Sequence, residues 1–268
     1  DQIVSVNAAQ LSLSQYFGTE KPDPIDLGAY QRNGGFSLLT YNDSDLLLSA
    51  KIADLAPGSV QRGPLVKYFN EQMKVDTADI HRTVIALYGL ASLNEPVLSK
   101  LQSIQNSPDL DTTDKVYVAL ALAKFGDTEN ARALYNGAIR PKLTFNGLEA
   151  YASFEKDKTK QVKITGSIAE LAGQLGIVDD SDKLLAYMDT HYPERDLDVL
   201  ERVLAVNARL TQTDRSPAKF TYTVDGKSEN VELKNGETKT IELTRDSLNT
   251  LAFSGISGKV SVTSFYEA

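Results

Sequence analysis

Apolar residues spaced i, i+4 and i+7 come back five times before Thr211, and that recurrence restricts the fold more than any other feature of the sequence. Leu48-Ile52-Leu55, Ile80-Val84-Leu87-Ala91, Val116-Leu120-Ala123, Ile164-Ile168-Leu171-Leu175 and Val199-Val203-Val206-Leu210 each set their members on one side of a 3.6-residue helix. The faces begin 32 to 48 residues apart, which leaves room for two helices and two turns per unit. Shorter, more polar helical stretches fall between them, at Leu65 to Met73, Val97 to Ile104, Ala131 to Ala138 and Leu184 to His191. The pattern predicts inner helices with outer partners, preceded by one extra helix through Val4, Ala8 and Leu11.

Start and stop signals keep to the same period. Pro57-Gly58 ends one helix, Pro96 suits a first helical turn, and Gly126 and Gly176 suit C-terminal caps. Asp43, Thr77 and Ser181 are read as N-caps. Many inner positions are small, as in Ala119, Ala121, Ala123, Gly166, Ala169 and Gly173. Small side chains let helices approach closely around a crowded centre, which favours a closed α/α toroid over an open solenoid.

After Thr211 the period changes from helical to alternating. Phe220-Thr221-Tyr222-Thr223-Val224 runs into Asp225-Gly226, a tight-turn signal. Val231 to Lys234 and Thr240 to Leu243 flank Asn235-Gly236, and Leu251 to Phe253 and Val260 to Thr263 make up five candidate strands. The fold class expected is therefore mainly α: a toroid of repeated helix pairs over residues 1–214, followed by a small antiparallel β domain over 215–268. So small a sheet makes a marginal core alone, so its apolar face is expected to pack on the helices or be completed by chain outside this segment.

Composition removes several functions. A formal charge of -8 and a pI near 4.9 argue against a non-specific grip on nucleic acid or anionic membrane, and no basic run offsets them. Without any Cys there is no disulfide, thiolate metal site or cysteine nucleophile. No apolar stretch approaches the roughly 20 residues that span a bilayer, and the first ten residues lack signal-peptide character, so no membrane insertion is expected. The absence of an initial Met suggests a segment cut from a longer protein.

The run Gln31-Arg32-Asn33-Gly34-Gly35-Phe36-Ser37-Leu38-Leu39-Thr40-Tyr41-Asn42-Asp43-Ser44-Asp45-Leu46, leading into an inner helix, resembles the thioester-domain region of the alpha-2-macroglobulin and complement family. The order of helices then strands, with Val231 to Thr238 and the closing Val260 to Tyr266, is similar to the β domain that succeeds the toroid in that family. The resemblance implies an extracellular or cell-surface setting, a bacterial source and further domains of the same polypeptide as neighbours. It also exposes a departure. The family's reactive Gly-Cys-Gly-Glu-Gln is missing, and a chain without Cys forms no internal thioester.

Candidate catalytic sites are weak. Asp43 and Asp45 sit where a helix starts, and capping explains them better than calcium or glycosidase chemistry. With no Trp and no aspartate-rich cluster, the sequence does not suit a terpene cyclase, although that fold is also an α/α toroid. His81 and His191 lie on different helices without zinc spacing and read as solvent-facing, and no phosphate, dinucleotide or nucleophile-elbow motif occurs. No cofactor and no metal are expected, and Asn33-Gly34-Gly35 reads as a bend. The surface singled out for a protein or cell-surface partner is the loop with Tyr30, Arg32, Phe36 and Tyr41, with Tyr151 and Phe154 as a second aromatic group. An equal reading is that these aromatics fill the core. The sequence thus supports a non-enzymatic binding or scaffolding module. Its competitor is a carbohydrate-active enzyme, which would need two converging carboxylates in a cleft.

Overall fold

The computed structural model describes residues 2–39, 41–75, 79–191, 199–212, 217–234, 237–258, 260 and 262. The chain divides into two compact units, one of residues 1–12 and 21–212, the other of residues 13–20 and 213–268. Residues 13–20 are grouped with the C-terminal unit.

Helices dominate the first unit. Their order is α1 (Gln2–Phe17), the short strands β1 (Gln31–Arg32) and β2 (Gly35–Phe36), then α2 (Leu46–Leu55), α3 (Arg62–Val75), α4 (Ile80–Ser92), α5 (Leu98–Ile104), α6 (Thr112–Lys124) and α7 (Thr128–Leu134). After α7 come a π-turn at Tyr135–Ile139, the hairpin β3 (Leu143–Asn146) and β4 (Glu149–Ala152), α8 (Lys158–Gln174), α9 (Val178–His191) and α10 (Leu200–Thr211). Neither hairpin was expected from the sequence. Each is too short to show the alternation that marks a strand.

Local chemistry explains where the helices begin and end. Asp111 and Asp114 form a reciprocal capping box at the start of α6, each carboxylate accepting from the other's backbone N–H at 2.8 and 3.0 Å. At its end Gly126 takes φ +76°, and the N–H groups of Asp127 and Gly126 donate to Leu122 and Ala123 O, the paired bonds of a Schellman motif. Gly176 closes α8 in the same way, with Ile177 N–H donating to Ala172 O. Two expected N-caps are corrected. Asp45 rather than Asp43 caps α2, accepting from Leu48 N–H at 2.7 Å, and Ser181 lies buried inside α9, where its hydroxyl donates to Ala169 O. The cap expected at Thr77 lies outside the described residues; Asp79 caps α4 through Arg82 N–H.

Packing links the five helices that carry the apolar period, termed inner from the sequence, in a circuit. Among the inner helices, α2 packs on α4, α4 on α6, α6 on α8, α8 on α10, and α10 on α2 again. The remaining helices pack on these: α3 on α4, α5 and α7 on α6, and α9 on α8. Close approach needs the small residues: a Cβ on Gly89 would come within 2.3 Å of the Phe69 ring, and one on Gly173 within 3.0 Å of Ala208. The expected face of α10 is corrected by one position. Leu200, Glu201, Leu204, Ala205 and Ala208 are buried, whereas Val206 is exposed. Glu201 is polar and so hid the true stripe from a purely apolar count.

The second unit, taken by itself, holds β5 (Ala218–Val224), β6 (Lys227–Leu233), the short helix α11 (Arg245–Leu248) and β7 (Ala252–Ser257). All pairing is antiparallel in the order β6-β5-β7. Asp225 and Gly226 take φ of 50° and 74° in a two-residue turn between Val224 and Lys227, as the type I′ signal predicts. The expectation of five strands is corrected to three among the described residues. Thr240 to Leu243 form no strand, and Asn235-Gly236 and part of Val260 to Thr263 lie outside the described residues. Among the described residues no helix is long and apolar enough to cross a membrane.

Candidate functional site

The loop before α2 is held from beneath and open above. Asn33 (φ 50°) and Gly34 (φ 89°) turn β1 into β2, so the Asn-Gly pair makes a type I′ hairpin as well as a bend. A Cβ on Gly34 would meet Pro64 O at 2.4 Å and one on Gly35 the Tyr68 ring at 2.6 Å, so both glycines also permit α3 to close on the loop. Phe36 is fully buried; its N–H donates to Ser49 Oγ at 2.7 Å and its carbonyl accepts from Asp45 N–H at 2.8 Å. The Ser37 hydroxyl donates to Leu39 O at 2.7 Å. Beyond that anchor Leu38, Leu39 and Tyr41 stand 54%, 45% and 74% exposed.

Beside this loop opens a cleft of about 400 Å³, lined by Ser44, Asp45, Leu46, Leu47, Tyr68, Gln72, Arg82 and Ile85. Arg82 donates to Gln72, and the Asp45 carboxylate is committed to its cap. Burial, and then the negative charge of Asp45, raise the Tyr68 phenol above its ordinary pKa. The lining therefore mixes aliphatic surface with a phenol and a guanidinium, and it contains no carboxylate pair.

The six aromatic and basic positions named from sequence do not form one surface. Tyr41 is exposed, Arg32 is exposed on β1, Tyr30 is half-buried against the core, and Phe36 is inside it. Phe36 is thus corrected from a partner contact to an anchor, since a fully buried ring offers nothing to a partner. Tyr151 on β4 stacks on Tyr187 with centroids 4.8 Å apart, and Tyr187 stacks in turn on His191 at 4.1 Å. Gln161 ties that hairpin down by accepting from Tyr187 Oη and donating to Ala152 O. Phe154 is half-buried on the core, and among the described residues no ring contact joins it or Tyr151 to the loop before α2. What sequence reasoning missed is Leu38 and Leu39, two consecutive apolar residues just after Gly-Phe-Ser, where no helix face would hold them.

A second cluster lies between the inner helices. Lys51 of α2 pairs with Glu201 of α10, both almost fully buried, and Glu201 Oε2 has no hydrogen-bond partner among the described residues. Lys124 of α6 contacts Asp54 of α2 and stands 3.6 Å from Glu170 of α8, with side-chain exposures of 24%, 4% and 2%. Tyr88 Oη donates to Asp54 Oδ2 at 2.6 Å and Gln174 donates to Glu170 Oε1 at 2.7 Å. Burial foremost, then the charge of Asp54, raises Glu170 well above the usual carboxylate range, and burial likewise raises Tyr88. These residues come from helices up to 150 positions apart, so no local motif could have announced them.

His81 of α4 adds a third polar group. Its Nδ1 lies 2.6 Å from Asp114 Oδ2, and the ligand atoms of His81, Asp111 and Asp114 fall within 4.8 Å of one another. The bond to Asp114 raises the His81 pKa, while burial raises Asp114 by more than the imidazole lowers it. Both carboxylates already serve the α6 capping box, which accounts for their positions.

No protein-family model and no curated protein matches the chain. Solved structures do. The chain is similar to the native form of Escherichia coli alpha-2-macroglobulin seen by electron microscopy, at 16% identity and a TM-score of 0.52 over 87% of this chain and 17% of that one. It is also similar to the crystal structure of native Escherichia coli alpha-2-macroglobulin from domain MG7 to the C-terminus, at 18% identity and a TM-score of 0.50 over 93% of this chain and 45% of that one. At these identities the likeness is one of fold, and the chain spans less than half the length of either structure. The fold is alpha-2-macroglobulin-like.

Proposed function

We propose that this chain is a non-enzymatic binding or scaffolding module, an alpha-2-macroglobulin-like region without thioester chemistry, with residues 1–214 forming an α/α toroid and 215–268 a β module. The observation that carries the reading is the exposed group Leu38, Leu39 and Tyr41, presented on a loop whose neighbours Phe36 and Ser37 are buried. A rigid anchor under exposed apolar side chains lowers the ordering cost of binding. The circuit of inner helices in which α10 returns to α2 supports the toroid. Asp54 and Glu170 converge but are buried and bridged by Lys124, which leaves them without the cleft and water a glycosidase needs, and Asp111 and Asp114 serve the α6 capping box. Other domains of the same polypeptide or a cell-surface protein are the partners this reading expects, in an extracellular or cell-surface setting.

The test replaces Leu38, Leu39 and Tyr41 together by Ser in the full chain. Thermal stability should hold to within about 0.5 kcal/mol, because these side chains are exposed. Binding to surface-protein extracts and to the remaining domains of alpha-2-macroglobulin-like chains, read by pull-down and interferometry, should fall at least tenfold. Unchanged binding, or turnover of a polysaccharide by the wild-type chain, would overturn the reading.

A further inference from the structure

The polar cluster between the inner helices contains more negative than positive charge. We propose that the helical unit takes up a proton when it folds, that Glu170 holds it beside Asp54 at neutral pH, and that its loss as pH rises loosens the link between α2 and α8. Lys51 pairs with Glu201, and Lys124 contacts both Asp54 and Glu170. The other described groups that act on Glu170 are Tyr88 from α4, Gln174 from its own helix and, by charge, Lys51 from α2, which is itself paired with Glu201. Counted together, the buried carboxylates Asp54, Glu170 and Glu201 meet two ammoniums, Lys51 and Lys124, which leaves one uncompensated charge that the interior cannot solvate and a single proton removes.

Geometry also assigns the proton between the two. Asp54 receives Lys124 on Oδ1 and the Tyr88 hydroxyl on Oδ2, so both of its oxygens already accept a donor. Glu170 is more deeply buried, and the ammonium lies further from it, at 3.6 Å. Glu170 therefore holds the proton and donates it toward Asp54, in keeping with the strong upward displacement of its titration by burial. Between the ordinary glutamate pKa and the raised folded one, the native state binds a proton that the unfolded chain does not. Stability from this group is then complete below about pH 4 and declines as pH rises through the folded pKa.

Thermal unfolding of the full chain against pH tests this, in a His81→Gln background, because the raised pKa of His81 contributes a slope of the same sign. The parent should lose roughly 3 °C in Tm for each unit between about pH 5 and about pH 8. Glu170→Gln, which keeps the shape and donor of the protonated acid, should lose at least half of that slope and melt above the parent on the alkaline side. Equal slopes, or a parent with no slope, would overturn the proposal. Infrared spectra of the wild-type chain read the proton without any variant. A carboxylic-acid carbonyl band present at neutral pH and bleached by alkali is expected, and its absence at neutral pH overturns the proposal even should Glu170→Gln fail to fold.

Discussion

Along α6 every side chain from Val116 to Leu122 is buried, whereas across the three strands of the C-terminal unit only Ala218 and Phe220 are. The first is the result of helices being covered on several sides by others. The second is a sheet with one aromatic pair, Phe220 and Phe253 at 5.9 Å, standing in for a core. The difference shows how the chain divides its stability: the helical unit depends on packing close enough that Gly89 and Gly166 leave no room for a Cβ, the sheet on turn geometry and a few rings. A three-stranded sheet so sparsely buried is near the lower limit of independent stability.

This contrast can be broken most sharply at Gly89. Alanine there improves helix propensity by about 1 kcal/mol, but its Cβ would strike the Phe69 ring at 2.3 Å, and overpacking of a rigid core outweighs propensity. The expected net loss is about 2 to 3 kcal/mol, measured by chemical denaturation followed through helical circular dichroism. Phe220→Ala removes the best-buried ring of the sheet and should cost about 2 kcal/mol, less than the usual core penalty because its neighbours are half-exposed. Amide exchange in β5 and β7 is the readout, and protection in α4 and α6 should not change. Gly226→Ala meets no atom within 4 Å but must hold φ near +74°, so a loss of about 1 kcal/mol is expected, seen as faster exchange at the β5–β6 turn. A Gly226→Ala effect as large as that of Gly89→Ala would contradict the contrast.

Legibility of the fold in the sequence divides along the same line. All five inner helices lie where the apolar period places them, and four bury the expected face, because a helix buried on one broad stripe writes that stripe into its sequence. On α10 the stripe includes Glu201, whose burial depends on Lys51 far away in the chain, so apolar periodicity selected the wrong face. The Schellman glycines Gly126 and Gly176 were legible because positive φ has few other owners. The cap at α2 was misplaced by two residues, since Asp43 and Asp45 are chemically alike and only the hairpin before them selects Asp45. Of the loop residues, Tyr41 was legible as exposed, but nothing in Gly-Phe-Ser-Leu-Leu reveals that Phe36 turns inward while Leu38 and Leu39 turn out.

The toroid proposed for the helical unit requires α10 to come back to α2, and the buried pair Lys51 and Glu201 bridges those two helices. A double-mutant cycle with Lys51→Met and Glu201→Gln measures it. Each single change should cost about 3 kcal/mol, by leaving a charge or a polar group buried without its partner, and the double should cost at least about 2 kcal/mol less than the two combined. Costs that add to within about 0.5 kcal/mol would mean that the two side chains do not meet, and that the inner helices do not close in the order described.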